Sequence, residues 1–197
     1  MSDRADRAGT TAAHRGIRPN LILLGYRGCG KSTVGRLVAR RLGWTFVDTD
    51  ELVMWAAGRS IAEIFKSDGE EVFRELESCV IEHVIGGQRQ VISVGGGAVL
   101  RAINAERLSR SGLCVWLTAP AEELHRRCSL DVRSAAQRPA LTAAVGLDEV
   151  RHLLAAREPL YRALADREVS TVGRTFDEVV VDVLAVVPGV SAGAGER

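Results

Sequence analysis

An octapeptide of the form GxxxxGK[ST], Gly25-Tyr-Arg-Gly-Cys-Gly-Lys-Ser32, lies directly after the apolar run LILL and directly before VGRLVARRLG. Strand, glycine loop and helix in that order let successive backbone N–H groups curl inward as an anion nest. The positive end of the helix adds to the field. Gly28, Cys29, Gly30 and Thr33 belong to this cradle, Lys31 is placed to reach terminal phosphates, and Ser32 offers a hydroxyl to Mg²⁺. The motif predicts a nucleoside triphosphate site. It leaves open whether the chain is a kinase, a motor or a switch, although no NKxD-like guanine signature supports a GTPase.

The rest of the chain fits around that loop. Short apolar runs, LILL (21–24), TFVD (45–48), VISV (91–94), LCVWL (113–117) and EVSTV (168–172), alternate with stretches of helical spacing. Such alternation predicts an α/β fold with a parallel sheet covered on both faces. Val34, Leu37, Val38 and Leu42 form one apolar helix face, and Gly43 supplies a stop. A second helix is expected over about residues 70–85, with Val72, Leu76, Val80 and Val84 as its buried stripe and Phe73, Arg74 and Glu77 near its edge. Arg74 and Glu77 are three apart and can touch.

Composition narrows the functional classes. Twenty-six basic and 25 acidic residues are spread along 197 positions, so no field of one sign points to nucleic acid or an anionic membrane. No apolar run approaches the roughly 20 residues that span a bilayer. Cys29, Cys79, Cys114 and Cys128 share no metal-ligand spacing and read as free thiols of a cytoplasmic protein. Residues 1–18 and 188–197 are expected to be a flexible leader and tail around one domain over 19–187.

Asp48 and Asp50 end the second expected strand, at the sheet edge where ligands of open parallel sheets sit. One carboxylate could support hydrated Mg²⁺ while the other accepts a hydrogen bond from an attacking hydroxyl. A helix N-cap is the plainer alternative for Asp50. Taken together, GYRGCGKST, FVDTD, GRSIAEIFKSDGEEVFRELE, VISVGGG and AREPLYRALAD closely resemble the shikimate kinase family, in the family's order and over nearly all of residues 20–187.

The resemblance implies a single-domain P-loop kinase fold with a central five-stranded parallel sheet and a mobile lid at about 128–146. It implies ATP-dependent phosphorylation of the 3-hydroxyl of shikimate with Mg²⁺, on the way to chorismate and the aromatic amino acids; the chain is expected to act as a monomer. By resemblance, Arg74 and Arg157 bind the shikimate carboxylate, as two guanidinium forks suit such a group. Asp50 contacts the ring hydroxyls and orients or deprotonates the acceptor, Asp48 supports Mg²⁺ through water, and the Gly95-Gly96-Gly97 loop approaches the substrate closely. Glu77 orients Arg74, the alternative being an ordinary surface pair. Arg138, from QRPAL in the lid, reaches the transferring phosphate, and Arg127 and Arg174 flank adenine. Two departures stand out: the segment CSLDVRSAAQ is long for the family, and Ala140 replaces the usual leucine of the lid. Another small-molecule P-loop kinase, acting on gluconate or a nucleotide, and a catalytically silent binding module are the competing readings.

Overall fold

Leu21, Ile22, Leu23 and Leu24 are all completely buried, a continuous apolar run with no polar alternation because both faces of their strand are covered. Burial of each such side chain is worth roughly 1.5–3 kcal/mol. In the computed structural model, which describes residues 20–130 and 146–188, this strand is the centre of the sheet. The strands are β1 (Asn20–Leu24), β2 (Thr45–Asp48), β3 (Gln90–Ser93), β4 (Gly112–Thr118) and β5 (Arg167–Ser170). Their order is β2-β3-β1-β4-β5 and every pairing is parallel. The five expected runs are therefore the five strands. Two are displaced: β3 lies one residue earlier than VISV, and β5 begins one residue earlier and ends two earlier than EVSTV.

Parallel neighbours need crossovers, and the described crossovers are helical. Helix α1 (Lys31–Leu42) joins β1 to β2; α2 (Thr49–Ala57), α3 (Ile61–Ser67) and α4 (Gly69–Val84) lead to β3. A 3₁₀ turn (Ala98–Leu100) and α5 (Ala102–Ser111) lead to β4. Helices α6 (Ala121–Leu130) and α7 (Leu147–Leu164) lie between β4 and β5, and α8 (Phe176–Leu184) follows β5. One face of the sheet packs on Val34 and Val38 of α1, Val150 and Leu154 of α7 and Val179, Val180 and Val183 of α8. The other packs on Ile81 and Val84 of α4, Leu108 of α5 and Tyr161 of α7. Helix α7 thus serves both cores, its first half on one face and its second half on the other. Val53, Ile61, Ile64 and Phe73 make a small third core where α2, α3 and α4 meet.

Local signals set the helix ends. Gly43 caps α1 in the left-handed conformation, donating its N–H to Ala39 and Arg40 carbonyls. Ser60 with Glu63, and Thr175 with Glu178, form reciprocal capping boxes at the starts of α3 and α8. Helix α4 departs from expectation. Val72 is exposed, whereas Phe73, Arg74, Glu77, Ser78, Ile81 and Val84 are buried, with Leu76 and Val80 only partly so. A periodicity count admits only apolar residues to the interior, so it turns the helix away from a face whose interior includes an ion pair. The expected leader, most of the tail and residues 131–145 of the expected lid lie outside the described residues. Among the described residues no helix is long and apolar enough to cross a membrane.

Candidate active site

The loop between β1 and α1 opens at the C-terminal edge of the sheet. Gly30 stands just before α1 with φ of 96°, a left-handed conformation that disfavours any side chain, and this turns the first N–H groups of α1 toward open space. Lys31 Nζ folds back over the loop, donating to the Gly25 carbonyl at 2.7 Å and the Tyr26 carbonyl at 3.1 Å. Ser32 Oγ donates to Asp48 Oδ2 at 2.7 Å. Asp48 is also the N-cap of α2, accepting from the Asp50 N–H at 3.1 Å. The cap expected as the alternative for Asp50 is therefore Asp48, and Asp50 occupies the first turn of α2.

Two cavities flank this loop. One is lined by Gly28, Cys29, Gly30, Arg127, Arg174 and Phe176, among others. Arg127 reaches it from α6, anchored on Glu123 at 2.7 Å and on the Thr171 hydroxyl and carbonyl at 2.9 and 3.0 Å. Hydrogen bonds from Arg126 and Arg127 hold the Glu123 carboxyl down to about 2, so this anchor is charged at neutral pH. Arg174 is held by Asp182 at 2.6 Å and by the Glu178 carbonyl at 2.9 Å. Thr33 is exposed in the first turn of α1.

The other cavity is more enclosed by charge. Asp50, Arg74, Glu77 and Arg157 line it, with Gly95, Gly96 and Gly97 along one wall and Ile61, Phe65 and Phe73 along another. All four charged residues are 9% exposed or less. Arg74 Nη1 donates to Glu77 Oε2 at 2.8 Å, and Arg74 is also bonded to Glu70 at 3.0 Å. The Arg74–Glu77 pair is a buried intrahelical pair, with 8% and 1% of the two side chains exposed. Burial pushes the Glu77 carboxyl above its ordinary range, against the pull of Arg74, and the charge of Asp50 pushes it the same way. Arg157 projects from α7 onto the Tyr26 ring, 5.6 Å from its centroid. One turn on, Tyr161 is fully buried and donates its hydroxyl proton to the Gly96 carbonyl.

The glycine wall has a spatial cause. A Cβ on Gly95 would stand 2.5 Å from Glu77 Oε1 and 2.6 Å from Asp50 Oδ1, and one on Gly97 would collide with the Arg74 guanidinium. Larger residues here would displace the charged groups themselves.

The structure therefore brings Lys31, Ser32, Asp48, Asp50, Arg74, Arg157 and the three glycines to one edge, and Arg127 and Arg174 to the adjoining cavity. Arg138 lies outside the described residues. Sequence reasoning passed over Tyr26, Arg27 and Tyr161. Tyr26 and Arg27 fall at variable positions of the glycine motif, where no residue type is demanded, and Tyr161 was visible only as part of the PLY stretch.

Comparisons with known proteins point to one family. The shikimate kinase family model matches residues 27–188. A shikimate kinase of Rhodopirellula baltica is 43% identical over 173 residues, 87% of this chain and 92% of its own length. One from Symbiobacterium thermophilum is 44% identical over 165 residues, 84% of this chain and 94% of its own. Among solved structures, a shikimate kinase from Acinetobacter baumannii in complex with shikimate superposes with a TM-score of 0.79 at 34% identity, over 85% of this chain and 92% of that one. With the loop, the paired cavities and relatives matched along nearly their whole length, the chain belongs to the shikimate kinase family.

Proposed function

We propose that the chain transfers the terminal phosphoryl group of ATP to the 3-hydroxyl of shikimate, giving shikimate 3-phosphate and ADP, in the route to chorismate and the aromatic amino acids. The observation that carries this is the joining of the buried residues Asp50, Arg74 and Arg157 and a glycine wall in one cavity beside the phosphate loop. Two guanidiniums suit the acceptor carboxylate, and Asp50 suits a hydroxyl. Glu77 fixes Arg74 in place.

ATP is the co-substrate of this family, and Gly28, Cys29, Gly30, Lys31, Ser32 and Thr33 are its proposed cradle, with Arg127 and Arg174 beside the base. Mg²⁺ fits the all-oxygen pair of Ser32 Oγ and Asp48 Oδ2, and such an ion supplies charge neutralisation at the phosphates while keeping much of its water. Ser32 would have to turn its hydroxyl from Asp48 to bind it. Lys31, now satisfied by two loop carbonyls, exchanges them for phosphate oxygens. Asp50 aligns the acceptor hydroxyl, and a loose phosphoryl transition state asks little more of it. Arg138, given the transferring phosphate by resemblance, belongs to this proposal together with the lid at 128–146. The reading needs one chain, no nucleic acid and no membrane, and four free thiols suit the cytoplasm.

The test is ADP release from MgATP with shikimate, gluconate, nucleoside monophosphates or no acceptor, for wild type and Asp50→Asn. Turnover with shikimate alone, crippled in the variant, is the expected result. Turnover with another acceptor and none with shikimate would leave the phosphate cradle standing and overturn the acceptor assignment.

A further inference from the structure

The acceptor cavity contains a third guanidinium that the two-arginine clamp leaves unused. Arg27 lines the cavity together with Arg74 and Arg157. Arg74 is neutralised by Glu70 and Glu77, but Arg27 has no carboxylate partner among the described residues, and its Nε is buried with no hydrogen bond. Its guanidinium instead stands 5.8 Å from the centroid of the Tyr26 ring. A guanidinium that lines a cavity with no carboxylate to balance it points to an anion that arrives with a ligand.

The place of Arg27 in the chain identifies that anion. Tyr26 and Arg27 line the acceptor cavity, whereas Gly28, Cys29 and Gly30 line the nucleotide-side cavity. The backbone therefore crosses from one cavity to the other between residues 27 and 28. Lys31 Nζ lies 3.1 Å from the Tyr26 carbonyl, which belongs to the peptide that continues into the Arg27 nitrogen. A phosphoryl group held by Lys31 and moving toward the acceptor cavity passes the point from which the Arg27 side chain springs. Charge agrees with this path. With Arg74 balanced by Glu70 and Glu77, the lining sets Arg27 and Arg157 against a single further carboxylate, Asp50. A single carboxylate on the acceptor is met by Arg74 and Arg157, and the remaining cation faces the phosphate.

We propose that Arg27 binds the phosphoryl group as it crosses and holds it on the phosphorylated acceptor, so that this loop residue distinguishes product from substrate. The inference rests on the acceptor reading given under the proposed function. In the step concerned, the bond from the terminal phosphorus to the bridging oxygen of ADP breaks and its electron pair stays on ADP. The acceptor hydroxyl oxygen forms the new P–O bond, and its proton leaves to Asp50 or water. Arg27 remains protonated throughout and contributes hydrogen bonds to the equatorial oxygens.

Calorimetry without nucleotide separates this role from a structural one, using shikimate and shikimate 3-phosphate as ligands for wild type, Arg27→Gln and Arg27→Lys. Arg27→Gln is expected to weaken the 3-phosphate about tenfold or more, the scale of one charge-assisted hydrogen bond, while shikimate affinity changes by less than about twofold. Arg27→Lys should restore part of the loss, since an ammonium keeps the charge but not the fork. In turnover, kcat should fall with little change in KM for shikimate. Equal weakening of both ligands would overturn the inference, because Arg27 would then read the carboxylate or merely shape the cavity. Unchanged affinity for both would also overturn it. Wild type that binds neither ligand would instead bring down the acceptor reading itself, so the two failures differ.

Discussion

The two cavities at the sheet edge are built on opposite plans. On the acceptor side the working groups are charged side chains, Asp50, Arg74, Glu77 and Arg157, all buried and locked by helix geometry or by one another. On the nucleotide side they are mostly backbone groups of a glycine loop, flanked by Arg127, Arg174 and Phe176, and Phe176 is 53% exposed. Buried charges are desolvated during folding, so removing one leaves its neighbours uncompensated, and the site discriminates strongly. Backbone donors cannot be removed by substitution, and exposed side chains are screened by water. Recognition of the acceptor should therefore be brittle, and recognition of the nucleotide should tolerate change.

Lys31 is the exception on the nucleotide side and gives the largest expected effect. Its ammonium is the side-chain cation folded onto the phosphate loop itself, held by two loop carbonyls and the Cys29 sulfur, partners that phosphate oxygens can replace. Lys31→Ala should lower kcat at least about a hundredfold, the scale of losing one pre-aimed electrostatic donor. A kcat within about tenfold of wild type would show that the backbone nest alone suffices, and the contrast between the cavities would become sharper still.

Arg157→Ala comes next. Its guanidinium lies 5.6 Å from the Tyr26 ring centroid and is 6% exposed, so the truncation opens a charged gap in the acceptor cavity. Shikimate affinity should fall roughly a hundredfold, within the range for truncating a buried charged partner, while ATP affinity changes little. Calorimetry with each ligand separately decides it. Unchanged shikimate affinity would mean that the clamp is misassigned.

The difference between the cavities also governed what could be read from sequence. The phosphate loop was legible in full because its chemistry demands glycines and a lysine at fixed spacing. The strands were legible because β1, β3 and β4 are largely buried on both faces and carry short, mostly apolar runs. Helix α4 was legible as a helix but not in its rotation, since Arg74 and Glu77 look like surface residues until the partner that buries them is known. The cap that Asp48 gives α2 is local, but its acceptance from Ser32 depends on the approach of two segments and has no local signature. Arg27 was hidden for the opposite reason, because the motif places no demand on its position.

Glu77 tests whether the buried network carries the electrostatic strain that its burial implies. Its carboxyl is raised above the ordinary range, first by burial and further by Asp50, with Arg74 and Arg157 opposing. An acid whose folded value lies above its unfolded one binds protons more tightly in the fold. In the window between the two values the folded state holds more protons, and stability falls as pH rises. Glu77→Gln removes that titration but keeps the shape. Thermal midpoints taken from the ordinary carboxylate range upward should therefore shift against wild type relative to the variant, with a limiting slope of about 1.4 kcal/mol per pH unit. Parallel profiles would mean that Arg74 fully compensates the buried charge, and the acceptor side would be less strained than its geometry implies.

Arg174→Ala should have the smallest effect, and for that reason it probes the nucleotide side most directly. The guanidinium lines that cavity, yet it is paired with Asp182 at 2.6 Å in a contact whose side chains are 28% and 49% exposed. Water screens such a pair and supplies alternative partners once it is broken. The substitution should raise KM for ATP about two- to fivefold, leave shikimate affinity unchanged and barely move the melting temperature. Asp182→Ala then separates presence from placement. If Arg174 needs only to be near the base, freeing it from Asp182 leaves KM where it was; if it must be held in one orientation, Asp182→Ala reproduces the effect of Arg174→Ala. A rise well beyond about thirtyfold in either variant, approaching the loss expected at Arg157, would break the comparison, because an exposed ion pair would then be positioning the nucleotide as stringently as buried charges position the acceptor.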